Sequence, residues 1–199
     1  MEMKIPLTVL ISLFVAFGAT APAGVAAEEK CFSGDQGTGK LTFSGAVEGT
    51  GFTGRFGQFS VEYCVPDSGP AAGRIEVRVD LSSADTENRE RDETLKGEAF
   101  FAVGQYPEAL WTSHSISSET RGYIAQGDLE LKGIKASQPI RFTLTPDGDD
   151  LFASGEFSMG GDAEVERLRF DVGTGDFADP EFVRNRVDVT FEIRLQAHD

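Results

Sequence analysis

The 199-residue chain carries 33 acidic side chains against 18 lysines and arginines, a formal charge of −15 at pH 7. A surface this acidic repels phosphate backbones and anionic lipid heads, so no nucleic-acid partner is expected. Its length and a 40% share of hydrophobic residues suit one domain with a real core.

The chain starts like an export signal. Lys4 gives a positive start, and Leu7 to Phe17 is apolar apart from Thr8 and Ser12. Val25-Ala26-Ala27 offers small residues for cleavage. The expectation is a signal peptide over residues 1–27, cut before Glu28, and a single domain over 28–199. The apolar run is shorter than the about 20 residues needed to span a bilayer. No later stretch is apolar enough either, so an integral membrane protein is not expected. Export implies the periplasm or the cell exterior. In that oxidising setting Cys31 and Cys64 are expected to form a disulfide. The absence of Cys-x-x-Cys and of a neighbouring His argues against metal or redox roles.

Five phenylalanines (Phe32, Phe43, Phe52, Phe56 and Phe59) punctuate a glycine-rich stretch that reads as bent strands. Period-two alternation then recurs along the chain. Ile75, Val77, Val79 and Leu81 share one face, against Arg74, Glu76, Arg78 and Asp80. Pro66-Asp67-Ser68-Gly69-Pro70 separates this strand from the one before it. Thr86 to Ala99 is charged and reads as a short helix or ordered loop over one barrel mouth, leading into Phe100 and Phe101. Next come a strand holding Trp111 and one with Tyr123, Ala125, Leu129 and Leu131 in phase. Ile140, Phe142 and Leu144 follow. Pro146-Asp147-Gly148-Asp149-Asp150 reads as a hairpin turn, without the ligand spacing of a calcium loop. Leu151, Ala153, Phe157 and Met159 alternate after it. Val187, Val189, Phe191, Ile193 and Leu195 give the cleanest strand of all.

These elements predict an all-β protein: an eight-stranded antiparallel barrel with one short helical insertion at one end. The apolar phase of each strand must face inward. It contributes Phe59 and Val61, then Ile75, Val77 and Val79, then Trp111 and Leu129, then Phe142, Leu144 and Phe157, and last Val189, Phe191 and Ile193. Arg78 and Arg194 should face water. Phase alone leaves open whether the interior is a filled core or a pocket.

The chain offers little sign of catalytic chemistry. His114 and His198 are the only histidines, and His114 is read as a strand residue in phase with Leu110, Thr112 and Ile116. No phosphate loop, dinucleotide fingerprint or nucleophile elbow occurs. No catalytic residue, metal or cofactor is expected, and the chain is not read as an enzyme. Beside a pocket, two other readings are open. One is a filled barrel acting as a structural or interaction module, pairing as a homodimer through a mouth or an apolar patch. The other is a carboxylate-dependent enzyme built on the acidic residues near 85–93, Asp92 among them.

Several pieces resemble the YceI-like family of polyisoprenoid-binding, lipocalin-like periplasmic proteins, in the family's order. They are Phe52-Thr53-Gly54-Arg55-Phe56 with Phe59, Val77 to Thr86, and Arg91-Asp92-x-x-Leu95 with Phe100-Phe101 and Tyr106-Pro107. Trp111-Thr112-Ser113, Gly127-Asp128-Leu129-x-Leu131-x-Gly133 and Arg167-Leu168-Arg169-Phe170-Asp171-x-Gly173 complete the set. The resemblance spans roughly Leu41 to Ala197. The paired cysteines, Trp111 and Arg169 depart from the family pattern. The resemblance implies a tunnel for an isoprenoid or other lipid, such as a quinone tail or a polyprenyl chain. Phe100 and Phe101 would line its mouth or anchor the helix. Arg91, Asp92 and Arg167 are candidate contacts for the ligand's polar head, with an Arg91–Asp92 ion pair holding the helix as the favoured structural reading.

Overall fold

Alternating side chains give strands here, and the way those strands bend gives the barrel. The structure is a computed structural model, and it describes residues 29–146 and 155–198. The expected signal peptide, the turn at Asp147 to Asp150, and Leu151 and Ala153 lie outside the described residues.

The chain begins with β1 (Glu29–Asp35) and β2 (Gly39–Val47), then β3 (Thr50–Phe56) and β4 (Phe59–Pro66). β1 and β2 form one bent stave. Both run antiparallel to the last strand, β12 (Arg186–His198), with Phe32 opposite Ala197 and Phe43 opposite Val189. β3 and β4 form the next stave, placing Gly54 opposite Phe43 and Cys64 opposite Cys31. β5 (Arg74–Asp80) and β6 (Ala84–Asp85) make the third, pairing with β4 and β3. β7 (Glu108–Glu119) and β8 (Gly122–Leu131) follow as unbroken staves. β9 (Ile134–Ser137) and β10 (Ile140–Thr145) both pair with β8, so they form one stave interrupted at Gln138-Pro139. Pro139 has no N–H for the ladder, which accounts for the break. β11 (Glu156–Glu166) pairs with β10 and β12, and β12 returns to β1. The result is a closed eight-stave antiparallel barrel.

The helical expectation over Thr86–Ala99 narrows to α1 (Arg89–Lys96). Asn88 caps it by accepting a hydrogen bond from the Arg91 amide at 3.0 Å. Glu90 and Asp92 stand in the first turn and Lys96 in the last, which suits the helix dipole. Leu95 is its buried anchor.

Cys31 and Cys64 form the expected disulfide across the β1–β4 pair. Around it one core cluster closes that end of the barrel, with Phe32, Tyr63, Val65, Phe157 and Leu195 almost fully buried. Rings meet at 4.8 Å for Phe32–Phe157 and 5.3 Å for Tyr123–Phe142. A second cluster sits under α1, built from Leu81, Leu95, Phe100, Phe101, Phe170 and Val172.

One expectation fails inside β7. The register against β8 shifts between Ser113 and Ser115. This bulge inverts the phase, so Trp111, Ser113 and Ile116 are buried while His114 is exposed. His114 therefore does not share a face with Ile116.

Candidate ligand-binding cavity

Between the two clusters lies a cavity of about 210 Å³. Its wall takes side chains from nearly every stave. Val77, Val79, Leu129, Val189 and Phe191 point inward yet stay only half-buried. The surface they keep faces the cavity, which distinguishes them from the fully buried residues of the closed end.

Most of the expected lining residues meet here. Phe59, Val61, Ile75, Val77, Val79, Phe100, Phe101, Trp111, Leu129, Phe142, Val189, Phe191 and Ile193 all border the cavity. Leu144 and Phe157 do not. They lie deeper and pack the closed end, because strand phase tells inside from outside but not depth along the axis. Phe100 and Phe101, read as lining the mouth or anchoring the helix, take part in two sets of contacts. They line the wall, and they anchor the segment after α1 through Phe177 at 5.0 Å and Phe56 at 6.2 Å.

Lining residues not foreseen include Leu41 and Phe43 on β2, Met159 on β11, and Leu81, Leu95, Val172 and Val183 outside the strands. Leu41, Phe43 and Gly45 do alternate at period two, a signal available in the sequence. Leu81 continues the period of Ile75, Val77 and Val79, whereas Leu95, Val172 and Val183 carry no such period.

The polar candidates behave differently from the expectation. Arg91 and Asp92 do not clasp each other; both converge on the buried Thr86. Thr86 donates its amide (2.8 Å) and its hydroxyl (2.6 Å) to Asp92 Oδ1. Arg91 donates Nε to the Thr86 hydroxyl at 2.8 Å and Nη2 to its carbonyl at 3.0 Å. The Arg91 guanidinium also lies 4.5 Å from the centre of the Phe52 ring. So this pair ties α1 to the segment before it, through a hydroxyl rather than by an ion pair. Neither residue borders the cavity.

Arg167 borders the cavity and is only 3% exposed. All of its N–H groups are engaged by carbonyls. Nε donates to Arg184, Nη1 to Val172 and Gly173, and Nη2 to Phe177 and Val183, at 2.6–3.1 Å. A guanidinium offers five N–H donors. None is left for a ligand head, which corrects that expectation. Burial pushes the Arg167 pKa down from the ordinary guanidinium value. Gly173, at φ +79, makes this cage possible: a Cβ there would come within 2.2 Å of Arg167 Nη1.

The segment after α1 and the one after β11 are pinned together at Ala99. Its carbonyl accepts from the amides of Gly173 (2.8 Å) and Thr174 (3.0 Å), and from Lys132 Nζ at 3.3 Å. Lys132 also donates to the Asp171 carbonyl at 2.7 Å, and its pKa is pushed down by burial. Beside the cavity rim, Arg184 Nη2 meets Asp188 Oδ2 at 2.9 Å, and Arg186 Nε meets Asp188 Oδ1 at 2.6 Å. The Arg186 hydrogen bond is the leading cause that holds the Asp188 carboxyl below its usual range, with the charges of Arg186 and Arg184 adding to it.

A closed eight-stave barrel with an apolar interior and a helix at one end defines a lipocalin-like architecture. Residues 32–195 match the YceI-like domain, and the chain belongs to that family. A UPF0312 protein of Yersinia enterocolitica is 27% identical over 121 residues. That stretch is 61% of this chain and 63% of the relative's own length, so the match covers under two thirds of either protein. Among solved structures, Burkholderia cenocepacia BcnA superposes with a TM-score of 0.73 at 22% identity, over 81% of this chain and 98% of that one. A polyisoprenoid binding domain from Saccharophagus degradans gives a TM-score of 0.60 at 13% identity, over 84% and 98%. A Campylobacter jejuni YceI protein gives 0.57 at 18%, over 73% and 84%.

Proposed function

We propose that this protein is a periplasmic, non-enzymatic carrier that holds one apolar ligand, an isoprenoid or similar lipid chain, inside the barrel. The observation that carries this reading is the cavity itself: an inward face of aliphatic and aromatic side chains that keeps accessible surface within a closed barrel. A filled barrel would have no such space. The polyisoprenoid-binding neighbour supports the choice of ligand class, and the export-like residues 1–27 support the compartment.

The physics is adequate without any polar anchor. Each buried methylene contributes about 0.8 kcal/mol, so a tail of about ten carbons gives about 8 kcal/mol before the costs of association. The test is solvent extraction and mass spectrometry of protein purified from the periplasm of an expressing Gram-negative host. The expected result is a lipid at up to one molecule per chain, absent from a Val77→Asp variant that still folds. An empty barrel that also fails to take up added prenyl lipids would overturn the reading.

A further inference from the structure

We propose that the ligand's polar end is uncharged, so that the barrel takes a neutral-headed prenyl lipid in preference to a phosphorylated one with the same tail. The inference rests on the carrier reading and adds the chemistry of the head group.

Among the described residues, Arg167 and Arg184 are the two charged side chains that border the cavity. Arg167 has no N–H left for an incoming anion, and Arg184 already faces a carboxylate partner. Arg167 gives every N–H to backbone carbonyls, whose negative ends surround the guanidinium and screen its charge. Arg184 is neutralised by Asp188, and it also donates to the Ser44 and Arg186 carbonyls. Asp188 in turn binds Arg186, which reaches Glu164 at 2.7 Å. Arg184 alone of this cluster borders the cavity, and its partners Asp188, Arg186 and Glu164 lie on the outer face of β11 and β12, where two positive charges balance two negative ones. Arg91 and Lys132, near the same end, are engaged by Thr86 and by the Ala99 and Asp171 carbonyls.

A phosphate brought to this mouth would give up hydration without gaining a counter-ion, and a charge stripped of water and left unpaired is strongly disfavoured. The chain's formal charge of −15 adds a long-range repulsion. A hydroxyl or carbonyl head meets neither penalty. The same electrostatics identify what would reverse the preference. Removing a rim carboxylate leaves an arginine free to pair with phosphate.

The experiment is a competition against a bound apolar fluorophore with two probes sharing one tail, geranylgeraniol and geranylgeranyl diphosphate, each below its micelle threshold. The purified protein should bind the alcohol at least about tenfold more tightly, a difference of about 1.4 kcal/mol. Asp188→Asn should narrow that gap several-fold. Asp188→Ser, a smaller change that removes the same carboxylate from Arg184, should narrow it too and covers the case in which Asp188→Asn fails to fold. Equal or tighter binding of the diphosphate, or a gap unmoved by a folded variant, overturns the inference and leaves the carrier reading intact. Binding of neither probe overturns the carrier reading itself, and the inference falls with it.

Discussion

Trp111 donates its indole N–H to the backbone carbonyl of Gln138 at 2.8 Å, across the interruption between β9 and β10. The bond removes the one polar group of the indole from the cavity wall, so the ring offers the interior only apolar surface. The ring fits because residue 127 is glycine: a Cβ there would lie 2.5 Å from Trp111. Trp111→Phe deletes the donor and leaves a buried carbonyl short of a partner. The expected cost is about 1–3 kcal/mol, read as a lower denaturation midpoint with an unchanged slope.

Arg167→Met should be far more damaging. It strips five carbonyls of their donor at once. Each unsatisfied buried group costs about 1–3 kcal/mol, and water can repair some of them. A net loss above about 3 kcal/mol is expected in equilibrium unfolding. Arg167→Lys should recover only part of it, because an ammonium has fewer donors and no planar fork.

The Cys31–Cys64 bond closes a loop with a sequence separation of 33. Replacing both residues by serine should lower stability by about 3–4 kcal/mol on the chain-entropy account. Thiol labelling of the unfolded, unreduced protein should find no free cysteine. Two labelled thiols would contradict the pairing.

Adjacent residues of β5 should respond in opposite ways. Val77 borders the cavity, whereas Arg78 faces solvent between Glu76 and Glu108 at 2.8 and 3.0 Å. Val77→Asp puts an unpaired charge in an apolar wall and should abolish ligand uptake or folding. Arg78→Gln loses two exposed ion pairs, each worth at most about 1 kcal/mol. It should leave ligand uptake unchanged, as measured by extraction of bound lipid.

The contrast between Val77 and Arg78 was legible in the sequence, because a strand with one wet face writes its register as strict alternation. The same holds for Val187 to Leu195 on β12. Three features were not legible, each for a physical reason. The β7 bulge at Ser113/Ser115 inverts the phase without leaving a mark in hydrophobicity. Leu144 and Phe157 share the inward phase of Phe142, yet their depth depends on strand stagger, which alternation does not encode. The Arg167 cage uses backbone carbonyls, so no complementary acidic side chain announced it. Its one trace was Gly173, six residues downstream.

The central claim is that an apolar ligand occupies the barrel, and the chain supplies its own probe. Trp111 is the sole tryptophan and it borders the cavity. The most direct measurement is a fluorescence titration of delipidated protein with a ubiquinone carrying a short prenyl tail, whose quinone ring quenches a nearby indole. Saturable quenching should end at one quinone per chain and be absent in a folded Val77→Asp variant. Quenching that rises linearly without saturation, or equally in the variant, would contradict the claim.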